Sequence, residues 1–181
     1  MDERDRLLRL VRENTVHTPV VLSSGRASGV YVDCRMITLH PEGALLCARA
    51  LLELLDGAGW DADAVGGPTI GADPLCGALA AVSQLDGVPI PTFLIRKEKK
   101  EHGRAKQVEG PIPERCRAVL VDDVATSGGS LIRAAHVLKE GGHEVVGALV
   151  LVDRQEGAAE ALMSEGIPLL SVFELDEIEG K

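Results

Sequence analysis

Two consecutive carboxylates, Asp122 and Asp123, stand between an apolar run (Ala118, Val119, Leu120, Val121) and a turn of small residues (Thr126, Ser127, Gly128, Gly129, Ser130). A short β-branched run bounded by polar residues and glycine suits a strand buried on both faces, with the acids at its carboxyl end. The turn opens a helical pattern, and the N–H groups at a helix N-terminus form an anion site. Phosphate is the expected guest of that turn. A phosphate cradle ordinarily avoids carboxylates, so two beside one imply a ligand that carries hydroxyl donors or a divalent cation next to its phosphate. A ribose 5-phosphate fits both halves. The plainer alternative is a strand, turn and helix with a Thr or Ser cap and solvated acids.

A second chemical stretch is basic. Arg96 to Lys106 (R-K-E-K-K-E-H-G-R-A-K) holds six basic and two acidic residues, so it carries +4 and the remainder −13 in a chain of net charge −9. Charge runs usually form a solvated face. This one has no apolar stripe, includes His102-Gly103 and lies between two expected strands, which suits a mobile loop that meets an anion. Gly66-Gly67-Pro68-Thr69 reads by itself as a plain turn between strand and helix. Arg154, after the apolar run Val145 to Val152, reads by itself as a salt-bridged residue at a strand end.

The elements that must position these groups follow from periodicity. Asp2 to Asn14 predicts an amphipathic helix with Leu7, Leu8, Leu10 and Val11 on one face. Val20 to Leu22 and Val30 to Val32, around a Ser/Gly turn, predict a hairpin. Pro41 to Asp56 predicts a helix with Pro at its start and Gly57 as its stop. Gly57 to Ala62 matches G-x-G-x-x-A, but after a helix the match lacks the strand context that gives it meaning. From there strands (Ala64-Val65, Thr92 to Ile95, Ala118 to Val121, Val145 to Val152, Pro168 to Phe173) alternate with helices (Leu75 to Val82, Leu131 to Glu140, Ala158 to Gly166). That alternation predicts an α/β fold with a mostly parallel central sheet flanked by helices.

Composition agrees. A chain of 181 residues and 19.1 kDa suits one domain, and 45% apolar content with only 2% aromatic calls for an aliphatic core. The negative charge argues against nucleic acid as a partner. Cys34, Cys47, Cys76 and Cys116 lack zinc or disulfide spacing and read as buried free thiols. No apolar run is long enough for a membrane span and the first residues are charged, so no membrane is expected and a cytoplasmic location is.

Val119 to Leu131 resembles the phosphoribosyl diphosphate signature of the type I phosphoribosyltransferases. The resemblance implies that fold, with residues 1–40 as an N-terminal helix and small hood and 41–181 as the α/β core of a single domain. It implies that Asp122 and Asp123 hold the ribose hydroxyls, while Val124, Ala125, Thr126, Ser127, Gly128, Gly129 and Ser130 surround the 5-phosphate. Gly67, Pro68 and Thr69 fall on the diphosphate loop, built mainly from backbone amides. The segment R-K-x-x-K-x-H-G resembles the catalytic loop of orotate phosphoribosyltransferases, with Arg96, Lys97, Lys100 and His102 on its functional positions. D-R-Q-E resembles the segment whose Arg, here Arg154, grips the orotate carboxylate, a planar acid suited to a bidentate guanidinium. Tyr31 and Val32 fall on the base pocket, with Thr126 also beside orotate. Ser23 and Ile70-Gly71 depart from the Lys and the Tyr-Lys common there. The family further implies Mg2+, carried mainly by the substrate, and a homodimer with shared active sites. Two rivals are a phosphoribosyltransferase for another base and a non-catalytic sensor of phosphoribosyl diphosphate.

Overall fold

The computed structural model describes residues 2–18, 20–21, 27–98 and 107–181. Helix α1 (Glu3–Glu13) starts at Asp2, whose carboxylate accepts the Asp5 N–H at 2.7 Å, and buries Leu7 and Val11 one turn apart. Four two-residue strands follow: β1 (Thr15–Val16), β2 (Val20–Val21), β3 (Ala27–Ser28) and β4 (Tyr31–Val32). The expected hairpin is only half right. Val20–Val21 pairs antiparallel with Ala27–Ser28, whereas Tyr31–Val32 pairs with Thr15–Val16. Strands this short carry no periodic signal, so their partners are set by the fold. Ser23 lies outside the described residues.

A single turn, α2 (Arg35–Thr38), leads into α3 (Pro41–Ala58). Gly57 does not end that helix. The chain runs on to Ala58 and stops at Gly59, whose φ of 64° is a left-handed conformation that glycine adopts without a Cβ penalty. The remaining elements are β5 (Ala64–Pro68), α4 (Ala72–Leu85), β6 (Thr92–Ile95), β7 (Val108–Glu109), β8 (Arg117–Ala125), α5 (Gly129–Glu140), β9 (Glu144–Asp153), α6 (Ala158–Ser164), β10 (Leu169–Glu174) and α7 (Leu175–Glu179). Strand β5 follows helix α3, so Gly57 to Ala62 is a helix end and no nucleotide fingerprint.

Six strands form one sheet in the order β10-β9-β8-β5-β6-β7, parallel except for β7 at the edge. Alternation along β8 divides the core. Val119 and Val121 join the layer built on α1, α3 and α4, while Ala118 and Leu120 join the layer built on α5 and α6. Each Leu or Val fully buried in this way contributes about 1.5–3 kcal/mol before entropy is counted. Leu7, Val11, Val32 and Ile37 belong to the first of these layers, so the N-terminal segment packs into the core. All four cysteines are free and buried, and burial pushes the Cys47 and Cys76 thiols up to about 12, which makes them inert. Among the described residues no helix is long and apolar enough to cross a membrane.

Candidate active site

The chain leaves β5 toward β6 on one side and returns to place β8 on the other. Between β5 and β8 the strand order therefore reverses, and an open α/β sheet binds its ligands in the crevice beyond the carboxyl ends of such a pair. A cavity of about 550 Å3 lies there. Four segments line it: Tyr31 to Arg35 from the hood and α2, Pro68 to Gly71 after β5, Asp122 to Val124 of β8, and Thr126 to Ser130 with Arg133 at the start of α5. Lys97 and Arg154 complete the wall.

The acids lie within β8, which extends to Ala125, beyond the position where it pairs with β5 at Gly66–Leu120. Consecutive strand residues leave the backbone toward opposite faces, yet one oxygen of each carboxylate comes back to the same point beside Gly71. Asp122 turns toward α5, where Ser130 Oγ donates to its Oδ2 at 3.1 Å, and the Asp123 N–H donates to its Oδ1 at 3.0 Å. Asp123 lies near Cys34, where its negative charge adds to the burial that holds that thiol well above its usual range. Burial, and then the neighbouring Asp123 charge, push the Asp122 carboxyl well above the usual range. Asp123 is also raised, chiefly by burial, against the hydrogen bond from the Val124 N–H at 2.8 Å. Two buried acids so placed favour a ligand that donates hydroxyl protons to them.

The Pro68–Gly71 segment comes unusually close to this pair. A Cβ on Gly71 would meet Asp122 Oδ1 at 2.2 Å and Asp123 Oδ1 at 2.6 Å, and one on Gly67 would meet the Val121 carbonyl at 1.8 Å. Glycine at both positions is what lets the loop backbone reach the acids. Gly128, with φ of 77°, turns the chain from Ser127 into α5. That turn aims the N-terminus of α5 at the cavity.

Most of the site residues expected from the sequence converge here. Tyr31, Val32, Pro68, Thr69, Lys97, Asp122, Asp123, Val124, Thr126, Ser127, Gly128, Gly129, Ser130 and Arg154 all line the cavity. Gly67 and Ala125 belong to the flanking strands and do not line it. Arg96 does not line it either. Its guanidinium is 3.9 Å from Glu109 at the sheet edge. Lys100 and His102 lie outside the described residues. Arg154 is nearly inaccessible, 4% exposed, with Nε donating to Glu156 at 2.8 Å and a terminal nitrogen donating to the Val30 carbonyl at 3.0 Å. It therefore joins the end of β9 to the hood while lining the cavity. Sequence reasoning missed Asp33, Cys34, Arg35 and Arg133. For Arg133 the spacing held a signal, since it follows Gly129 by four residues and so shares its helix face.

A model of the phosphoribosyl transferase domain matches residues 34–166. An orotate phosphoribosyltransferase from Aquifex aeolicus is 43% identical over 98% of both chains. The crystal structure of the Mycobacterium tuberculosis orotate phosphoribosyltransferase in complex with Fe(III) dicitrate superposes with a TM-score of 0.84 at 41% identity, covering 98% of this chain and 99% of that one. The same enzyme in complex with 5-phospho-α-D-ribosyl 1-diphosphate gives 0.81 at 39% identity, with the same coverage. With full-length identity of this order added to a reversed-strand crevice that gathers paired acids, a glycine-lined loop and the small-residue turn before α5, the chain belongs to the orotate phosphoribosyltransferases of the type I phosphoribosyltransferase family.

Proposed function

We infer that this chain transfers the 5-phosphoribosyl group of 5-phosphoribosyl 1-diphosphate to orotate, releasing diphosphate and forming orotidine 5'-monophosphate in pyrimidine biosynthesis. The observation that carries the reading is the single cavity in which Asp122–Asp123, the Thr126–Ser130 turn, the Pro68–Gly71 loop and Arg154 face one another. In the reaction the bond from C1 to the diphosphate oxygen breaks with its electron pair on diphosphate, and a ring nitrogen of orotate bonds to C1 as its N–H proton passes to the departing diphosphate or to solvent. The ribose centre becomes positive as the leaving group becomes more negative, so both signs need stabilising at once.

In this reading Asp122 and Asp123 accept the ribose hydroxyls, and the amides of the turn hold the 5-phosphate. Backbone at Pro68–Thr69 meets the diphosphate. Lys97 and Lys100 neutralise the departing charge, and His102 hydrogen-bonds or protonates it. Arg96 joins them by leaving Glu109, an exposed pair at 3.9 Å whose rupture costs little. Arg154 pairs with the orotate carboxylate, and Tyr31 and Val32 wall the base. Among the described residues no three His, Cys, Asp or Glu side chains converge as a metal cage. Mg2+ would be carried mainly by oxygens of the substrate and would supply charge neutralisation at the diphosphate.

The basic loop closes over the neighbouring subunit's substrate in a homodimer. Its +4 charge beside a −13 remainder gives it a reason to seek an anionic ligand held by a partner.

Competition among orotate, hypoxanthine, adenine and uracil, with Mg2+ and phosphoribosyl diphosphate present, tests the assignment. Orotate should be consumed, seen as loss of its ultraviolet absorbance, with release of diphosphate. Turnover of a purine without orotate would overturn it. The Arg154→Ala variant tests the base end. It should raise the KM for orotate by roughly tenfold or more, the value of a lost charge-assisted pair, with less than a twofold change for phosphoribosyl diphosphate. Equal change for both substrates would show that Arg154 acts only through its links to Glu156 and Val30.

A further inference from the structure

Three arginines line the cavity, and two of them are engaged. Arg35 donates to Tyr31 Oη at 2.9 Å and pairs with Asp33 at 3.4 Å, while Arg154 is held by Glu156 and Val30. The Arg133 guanidinium has no hydrogen bond or ion pair with any described residue, yet it lines the same cavity. Helix geometry sends it there. Side chains on a helix lean toward its N-terminus, so a residue four positions in covers the first turn. One terminal nitrogen of Arg133 lies 3.3 Å from the place a Cβ on Gly129 would occupy, and Ser127 Oγ lies 3.8 Å from that same place. The absent side chain at Gly129 leaves this point open, flanked by a guanidinium and a hydroxyl at the mouth of the phosphate turn.

The turn also has an electrostatic problem. Ser130, one of its hydroxyls, is already committed to the Asp122 carboxylate at 3.1 Å, and that acid pair repels a phosphate dianion placed beside it. A guanidinium on the outer side of the turn offsets the repulsion, and its planar donors match phosphate oxygens. We propose that Arg133 is a substrate-binding residue that contacts the 5-phosphate, giving the phosphate turn a side-chain cation from its own helix. This rests on the reading that places the ribose phosphate in the Thr126–Ser130 turn. Its effect falls on substrate affinity, because the 5-phosphate keeps its charge through the reaction and is bound equally in ground and transition states.

The test compares the parent with Arg133→Gln and Arg133→Lys by calorimetric binding of ribose 5-phosphate and of inorganic diphosphate, together with steady-state kinetics. In Arg133→Gln the Kd for ribose 5-phosphate and the KM for phosphoribosyl diphosphate should rise roughly tenfold, as for loss of one charge-assisted bond. The kcat, the KM for orotate and the Kd for diphosphate should stay within about twofold, because uniform binding was lost at one end of the substrate. Arg133→Lys should recover part of the loss by restoring the charge without the fork. Unchanged ribose 5-phosphate binding would overturn the proposal. So would equal weakening of ribose 5-phosphate and diphosphate, which would mark a general field across the cavity. The two readings fail separately. A parent that ignores orotate, beside an Arg133→Gln variant that loses ribose 5-phosphate, overturns the orotate assignment and supports Arg133; an active parent with an unaffected variant does the reverse.

Discussion

An Asp122→Asn variant should lose on the order of a hundredfold in kcat/KM and yet melt at a higher temperature than its parent at neutral pH, by about 2–4 °C for each kcal/mol gained. The two effects share one cause. Asp122 is 6% exposed, and its carboxyl is raised by burial first and by the Asp123 charge second. For a group raised on folding, the folded state binds the extra proton, so its contribution to stability is complete below the unfolded value near pH 4. It is then lost as pH rises through the elevated folded value. Asparagine keeps the shape, still accepts the Asp123 N–H and can donate to the Asp123 carboxylate, but it never ionises. The parent's melting temperature should therefore fall from mildly acidic to neutral pH more steeply than the variant's. Calorimetric melts across that range, beside turnover with saturating orotate, supply the check. A variant that is less stable than its parent, or that keeps full activity, would show that this acid is not a strained ligand for ribose hydroxyls.

Two dead variants should make one live enzyme. Lys100→Ala in the basic loop and Asp123→Asn in the ribose site should each be nearly inactive. A contact ion pair is worth about 4 kcal/mol at an effective dielectric near 20, and its loss from the transition state alone costs on the order of a thousandfold. When equal amounts of the two are mixed and allowed to exchange subunits, a mixed dimer with crossed loops carries one site with both lesions and one with neither. Random exchange should then restore roughly a quarter of the parent activity, by two-fold symmetry. No recovery after exchange has been demonstrated independently, by mass or by fluorescence, would mean that each chain completes its own site.

The parts of the fold that were legible in advance are those with long periodic patterns. The run Ala118 to Val121 announced β8 because a strand buried on both faces needs apolar residues at every position, and Pro41 with its leucine stripe announced α3. Gly57 misled because an intrinsic preference against glycine, about 1 kcal/mol in a helix, is easily overridden by packing, and the backbone turn was left to Gly59. The hood strands were mispaired because two residues have no period. Within the site, the acids and the small-residue turn after them were visible as local order. The closeness of Gly71 to both carboxylates was not, since it depends on β5 and β8 being neighbours across the strand reversal. Arg35 and Arg133 were overlooked for a related reason: an arginine near a turn or on a helix surface is ordinarily a solvated charge, and only the tertiary arrangement sets these two exposed side chains beside the cavity.

The pairing of β5 with β8 also bears on how the chain is made. Asp63 and Arg117, joined at 2.7 Å where the two strands begin, are 54 residues apart. At about 5–20 residues per second, β5 waits several seconds during synthesis with one edge unpaired. An unpaired hydrophobic edge is a template for aggregation, and native chains guard such edges with proline, bulges or poor strand formers. Strand β5 reads Ala-Val-Gly-Gly-Pro. Gly67, whose missing side chain lets β5 lie against the Val121 carbonyl next to the acids, is thus also among the residues least able to recruit a second nascent chain, so close packing of β5 on β8 and safe synthesis converge on the same short segment.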